Sequence, residues 1–450
     1  MNAKYRKTEN NVLETTAASQ LLLPIMVAFI PRSGTTLLMS HLARDRRCLF
    51  DRTYPFEKHL LSYMAKISDV LTHGDLEQHE DATAVIDLFS KTMGTVYLRP
   101  PQDNLDITLS RDDVFKALWS TASQTTLKRF PDSLYHAEKC PIWVPFFVRK
   151  NVPSLTLSLF RDPRNIYLSQ VAYNMKFPTA HFGLKNATDM TRAWQISAQF
   201  NSLFESTAEL EQDDSIVPLK YEDVCDDIDV FLELLEKRVG WTANASLDSS
   251  SYKIHATSSL AKSRERWKHE AISKRALHYL QILNFEAMQK LGYPTLISCD
   301  EANSIKIDFS EAAQHKYSVE DGSLEKLTDQ GKIVIESTRR TCRFNFSVER
   351  KHSVKTMEVW LCIKGGTGSQ CSLQWRKKGE QFGIERSGTA QFRKCDHFHV
   401  VRFRTCENPS WQEDFVELSI CGIFGDDQND SPTRTELKWV KLVPGSVAQD

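Results

Sequence analysis

The sequence predicts an α/β fold: a parallel sheet with flanking helices and a helical cap, followed by an all-β antiparallel sandwich of jelly-roll type. Three observations carry that expectation. Short apolar runs near 25–30, 48–50, 134–137, 155–160 and 216–220 alternate with helical stretches, as in a parallel sheet covered on both faces. After Ser298 the period changes from three-to-four to two, and helical patterns stop. The 450 residues, 41% hydrophobic and 26% charged, suffice for two or three folded domains.

The first apolar run, Ile25 to Ile30, breaks at Pro31-Arg32-Ser33-Gly34-Thr35-Thr36 and enters the helical pattern Leu37-Leu38-Met39-Ser40-His41-Leu42. A strand that turns at a glycine into a helix aims unpaired N–H groups at one point, which makes an anion site of the P-loop type. The common triphosphate loop places Lys after its last Gly. Here the cation is Arg32, two residues before Gly34, with hydroxyls at Ser33, Thr35 and Thr36. A second strand, Leu155–Phe160, is followed at once by Arg161-Asp162-Pro163-Arg164 and, within two helical turns, by Ser169. Pro163 has the fixed φ that opens a helix.

These two segments resemble the P-[KR]-[ST]-G-[ST]-[TS] and R-D-P-R-x-x-x-x-S motifs of sulfotransferases, the enzymes that use 3′-phosphoadenosine 5′-phosphosulfate (PAPS) and release 3′-phosphoadenosine 5′-phosphate (PAP). The resemblance covers about residues 22–295. It implies that Arg32, Ser33, Gly34, Thr35 and Thr36 hold the 5′-phosphosulfate and that Arg161 and Ser169 hold the 3′-phosphate. Val217-Pro218-Leu219-Lys220-Tyr221-Glu222-Asp223-Val224 is similar to the family's V-x-Y-E-D-L segment, so Tyr221 is expected beside the adenine. Arg264 and Arg266, in Ser263-Arg264-Glu265-Arg266-Trp267-Lys268, are similar to the late basic segment that closes over the nucleotide. Glu138-Lys139-Cys140-Pro141 resembles an E-K-[ST]-P strand end and gives Lys139 a place over the transferred group, with Cys140 standing where the family has a hydroxyl.

The implied reaction is in-line transfer of a sulfuryl group to an acceptor hydroxyl, with Arg32 at the departing oxygen, Lys139 over the transferred group and a base at the acceptor. Three groups compete for the base. Glu57 follows Pro55 and Phe56, a setting that opens a helix and raises a carboxyl pKa; Asp51 stands at a strand end; His59 comes third. No metal is required, because arginine and lysine can supply the charge. The acceptor is a glycan, a glycolipid or a small natural product. A P-loop kinase and a non-catalytic nucleotide-binding scaffold are the competing readings.

Residues 1–20 read as a polar leader, 21–298 as the catalytic domain and 305–446 as the sandwich. Within the catalytic domain, 57–130 forms a helical cap with three-to-four spacing at Leu60-Leu61-Met64-Ile67 and Val114-Phe115-Leu118-Trp119. Period-two runs such as Lys332–Glu336, Met357–Ile363, His397–Phe403 and Val416–Ile420 mark sandwich strands. Trp360, Trp375, Trp411, Trp439 and Phe398 read as core before they read as sugar platforms. Fifty-seven basic residues against 58 acidic ones, a net charge of −1, exclude a broad nucleic-acid-binding face. The run Leu21–Ile30 is broken by Pro24 and is too short for a transmembrane segment, so the expected location is cytoplasmic. The ten cysteines lack metal-site spacing and read as small buried residues. A homo-oligomer is compatible with the sequence.

Overall fold

A computed structural model describes residues 21–50, 59–72, 110–177, 188–210, 213–245 and most of 257–298, then the strands between 306 and 444 with some of their connections. The chain forms two compact units, 1–161 with 213–264, and 162–212 with 265–450.

The first unit is built on a five-stranded parallel sheet in the order β2-β3-β1-β4-β5. Its strands are β1 (Leu23–Phe29), β2 (Cys48–Leu49), β3 (Tyr135–Cys140), β4 (Leu155–Phe160) and β5 (Ile216–Lys220). The pleat divides β1 between two cores. Ile25 and Val27 pack with α1 (Thr35–Leu42), α7 (Tyr221–Asp226) and α8 (Ile228–Val239). Met26, on the other face, packs with α2 (Leu60–Thr72), α3 (Arg111–Arg129) and α4 (Trp143–Asn151). Ser110 caps α3 by accepting from the Asp113 amide at 3.1 Å.

Both cap helices that the three-to-four spacing predicts are present, as α2 and α3. The segment between them lies outside the described residues. The main correction concerns β3, which continues through Glu138 and Lys139 to Cys140, where the sequence reading stops at Ala137. Charged residues read as a strand end, yet these two are buried. Their partners, given below, explain why.

Among the described residues the second unit holds α5 (Pro163–Lys176), α6 (Asp189–Glu209), α10 (Arg266–His269), α11 (Lys274–Lys290) and eleven strands, while α9 (Leu260–Ser263) belongs to the first unit. The strands are β6 (Lys306–Asp308), β7 (Tyr317–Glu320), β8 (Ser323–Leu327), β9 (Lys332–Ser337), β10 (Arg343–Ser347), β11 (Thr356–Gly365), β12 (Gln370–Arg376), β13 (Ser387–Gln391), β14 (Cys395–Phe403), β15 (Glu417–Cys421) and β16 (Thr433–Pro444).

One sheet runs β13-β12-β15-β10-β7 and the other β14-β11-β16-β9-β8, with β6 added to β16. Among the described residues the pairings in both sheets are antiparallel. Phe344, Phe346, Leu373, Trp375, Leu418 and Ile420 from the first sheet meet Val359, Leu361, Ile363, Val401, Leu437 and Val440 from the second in one core.

The opposite face of the second sheet is also covered. Lys438 and the Trp439 indole donate to Glu205 of α6 at 2.5 and 2.9 Å, and the Val400 amide donates to Ser202 Oγ at 3.0 Å. The Lys441 ammonium, buried beneath them, donates to Asn201 Oδ1 at 3.2 Å and to the Leu283 carbonyl of α11 at 2.8 Å. Trp360, Trp375, Trp439 and Phe398 are all buried, as the core reading expects, and Trp411 lies outside the described residues. The described cysteines Cys48, Cys140, Cys225, Cys342, Cys362, Cys371 and Cys421 are free thiols.

Candidate functional site

β1 is the central strand of the parallel sheet, hydrogen-bonded to β3 on one side and β4 on the other; the chain leaves it for β2 at one edge, returns through β3 and crosses over β1 to β4. Loops leaving the carboxyl ends of β1, β3 and β4 are therefore neighbours, and a crevice opens between them. Register fixes the rest: Val27 pairs with Lys139, and Phe29 pairs with Leu159, one residue before the end of β4.

The loop after β1 is shaped by two left-handed residues, Arg32 at φ 76° and Gly34 at φ 104°. Arg32 is the one described non-glycine residue with positive φ, a conformation that costs energy outside glycine. The Ser33 amide closes a turn onto the Ile30 carbonyl at 3.0 Å. Gly34 is the N-cap of α1 without a side-chain cap, so the first N–H groups of the helix have no acceptor in their own helix. The Ser33 hydroxyl is buried and lacks a partner among the described residues. A Cβ on Gly34 would stand 2.2 Å from the Tyr221 ring, so glycine is required by space as well as by φ.

Arg161 leaves β4 and closes this loop from one side. Its guanidinium donates to the Arg32 carbonyl at 2.8 Å and to the Ser263 carbonyl at 2.6 Å, and lies 4.5 Å above the Tyr221 ring. The Tyr221 hydroxyl meets Ser263 Oγ at 2.8 Å, and burial pushes its pKa up to about 12. β5 ends at Lys220, where its apolar run ends, and Tyr221 opens α7 with its ring against Gly34.

Lys139 closes the loop from the other side, its ammonium donating to Thr36 Oγ1 at 3.2 Å although the residue is only 2% exposed. Its own carbonyl lies 3.1 Å from His59 Nδ1. A carbonyl only accepts, so Nδ1 carries the proton and Nε2 keeps the lone pair in the neutral ring. Glu138, the preceding residue, turns to the opposite face and accepts from the Leu61 amide at 2.8 Å, the Ser62 amide at 3.3 Å and the Ser62 hydroxyl at 3.2 Å. A carboxylate at the N-terminal turn of α2 satisfies amides that have no intrahelical acceptor and complements the helix dipole. Burial, with Glu138 beside it, raises the Cys140 thiol well above its ordinary pKa.

The structure thus brings together Arg32, Ser33, Gly34, Thr35, Thr36, Lys139, Arg161 and Tyr221. Arg264 forms an ion pair with Asp226 of α7. Ser169 is buried in the second turn of α5. In that unit Asp162 caps α5 and binds Arg164 bidentately at 2.9 and 2.6 Å, the Arg164 guanidinium lies 3.6 Å over the Trp267 ring, and Arg266 pairs with Glu270 at 2.7 Å. Glu57 and Asp51 lie outside the described residues. Glu138 is the residue the sequence reading missed. Its signal was a charged pair at the end of an apolar strand, followed by a proline. Among the described residues no group of three or more His, Cys, Asp or Glu side chains is placed to hold a metal.

No family model matches the chain, and no curated protein is similar to it. Among solved structures, the sulfotransferase domain from the curacin biosynthetic pathway is 17% identical over 61% of this chain and 99% of that chain, with a TM-score of 0.33. A sulfotransferase from Mycobacterium avium is 16% identical over 62% and 78%, with a TM-score of 0.29. The xylan-binding module CBM86 of Roseburia intestinalis is 15% identical over 30% and 90%, with a TM-score of 0.22. At these TM-scores the likenesses carry no weight for function.

Proposed function

We propose that the chain is a PAPS-dependent O-sulfotransferase. The supporting observation is the convergence on one left-handed loop of Arg161 and Lys139 from the strands on either side of β1. Ser33 with its buried hydroxyl and the first turn of α1 receive the 5′-phosphosulfate. Arg161 and Ser169 take the 3′-phosphate, Tyr221 lies at the nucleotide side, and Arg264 and Arg266 belong to the segment that closes over it. Lys139 and Arg32 stabilise the charge that grows on the bridging oxygen as the sulfur–oxygen bond breaks.

The acceptor hydroxyl attacks sulfur in line and loses its proton to a base from the segment 51–59. Among the described residues that base is His59, whose Nε2 is kept as the acceptor by the Lys139 carbonyl. Leu60 and Tyr63, exposed on the first turn of α2 beside His59, favour an acceptor with an apolar portion next to its hydroxyl. No metal takes part in this scheme, and PAP is the product.

Calorimetry with PAP and ATP separates this reading from a kinase: PAP is expected to bind tighter, and preference for ATP overturns it. Transfer of labelled sulfate to a library of hydroxyl compounds tests it against a scaffold. For the base, His59→Gln is expected to lower turnover by about a thousandfold with PAP affinity unchanged. If Glu57→Gln produces that loss and His59→Gln does not, the role passes to the carboxylate.

A further inference from the structure

The two outer faces of the sandwich differ in chemistry. That of β14-β11-β16-β9-β8 is covered by α6. That of β13-β12-β15-β10-β7 presents a polar row that reads, strand by strand, Ser318, Asn345, Ser419, Gln374, Ser387. These residues alternate with the core positions Phe344, Phe346, Leu373, Trp375, Leu418 and Ile420, so they stand on the side away from the core.

Two atoms in the middle of the row are anomalous. Ser419 is 0% exposed and Asn345 2%, yet Ser419 Oγ and Asn345 Oδ1 have no hydrogen-bond partner among the described residues. Buried polar groups are ordinarily satisfied, and an adjacent pair left unsatisfied points to a missing polar partner. The groups around them are hydrogen-bonding and balanced in charge. Arg343 reaches from β10 to Gln374 Oε1 on β12 at 2.7 Å, and β15 lies between those strands, so this bridge passes over Ser419. The Asn345 amide donates to Glu320 at 2.9 Å. Arg376 pairs with Glu417 at 2.5 Å and rests 4.3 Å over the Phe382 ring.

We propose that this face binds an uncharged carbohydrate chain. A sugar hydroxyl donates and accepts at once, so adjacent hydroxyls meet an orphaned amide oxygen and an orphaned hydroxyl together. They also replace the single bond between Arg343 and Gln374 that closes the floor. Among the described residues Arg343 and Arg376 stand against Glu320 and Glu417, a balance that gives nucleic acid and sulfated polymers no advantage. Phe382 supplies an apolar surface for the C–H face of a ring. The proposal stands whether or not the first unit transfers sulfate.

The test is calorimetry on the full chain with hexamers of β-1,4-glucose, β-1,4-xylose and α-1,4-glucose, and a heparin hexasaccharide as the charged control. At least one neutral hexamer is expected to bind with micromolar to millimolar affinity and more tightly than heparin. Arg343→Ala and Gln374→Ala, at the rim of the row, are each expected to weaken binding by about tenfold. For a variant that does not fold, hydrogen exchange of the wild type replaces it. The added hexamer is then expected to slow exchange in 343–347 and 417–421. Failure of all three neutral hexamers at millimolar concentration, tighter binding of heparin, unchanged affinity in both variants, or exchange slowed only elsewhere would each overturn the proposal.

Discussion

The carboxyl edge of the parallel sheet and the helix-covered face of the sandwich both bury cations, and they treat them differently. At the sheet edge Lys139 and Arg161 donate to neutral oxygens: a threonine hydroxyl and two carbonyls. On the sandwich Lys438, Lys364 and Arg402 meet the carboxylates of Glu205, Glu209 and Glu358. Neutral acceptors orient a cation without cancelling its charge, whereas carboxylates cancel it and lock the contact. The first arrangement aims both cations at the loop after β1. The second uses charge to join elements.

Substitutions in the two places are expected to have different readouts. The largest effect is expected at Lys139→Met: turnover falls by about a thousandfold, or about 4 kcal/mol of transition-state stabilisation, while chemical denaturation shows little change in stability. A large loss of stability there would break the contrast. Glu205→Ala should act the other way, costing about 3 kcal/mol in denaturation of the second unit, because it strands Lys438 and the Trp439 indole in a buried contact. Intact stability in that variant would show that the pair is dispensable.

A third measurement uses pH. Burial and nearby Arg44 lower the His41 pKa to about 4 from 6.5, so between those values the unfolded chain binds more protons than the folded one. Stability is full above about pH 6.5 and falls by about 2 kcal/mol as pH drops toward 4. Replacing His41 by Leu should flatten that part of the profile, and an unchanged slope would exclude His41 as its source. The smallest effect, about 1 kcal/mol, is expected for Tyr221→Phe, which removes the bond to Ser263 but keeps the ring against Gly34. A double-mutant cycle with Ser263→Ala measures it.

Much of the first unit was legible because its strands are buried on both faces and bounded by turn residues. β4 and β5 begin and end at the residues their apolar runs mark. β3 was cut short because a lone sequence gives no sign that the N-terminal turn of α2 will receive Glu138. The turn at Gly34 after an apolar strand, and Arg161 directly after β4, stand in the sequence, and the folded chain sets the Arg161 guanidinium against the Arg32 carbonyl. The link from His59 to Lys139 was not legible there, since it joins a helix entrance to a strand end 80 positions away. In the sandwich the strands declared themselves by period, but period does not say what lies against Lys438 and Lys441. Only the folded chain shows α6 and α11 filling that place.

The α6 contact has a consequence for how such a protein can change over generations. Glu205, Ser202 and Asn201 precede the last 150 positions in the chain, yet their partners lie on β14 and β16. A sandwich exchanged by recombination after residue 298 would arrive without its half of those bonds. The gene can be cut there, but the folded object has its seam elsewhere, so the two parts are expected to be inherited as a pair.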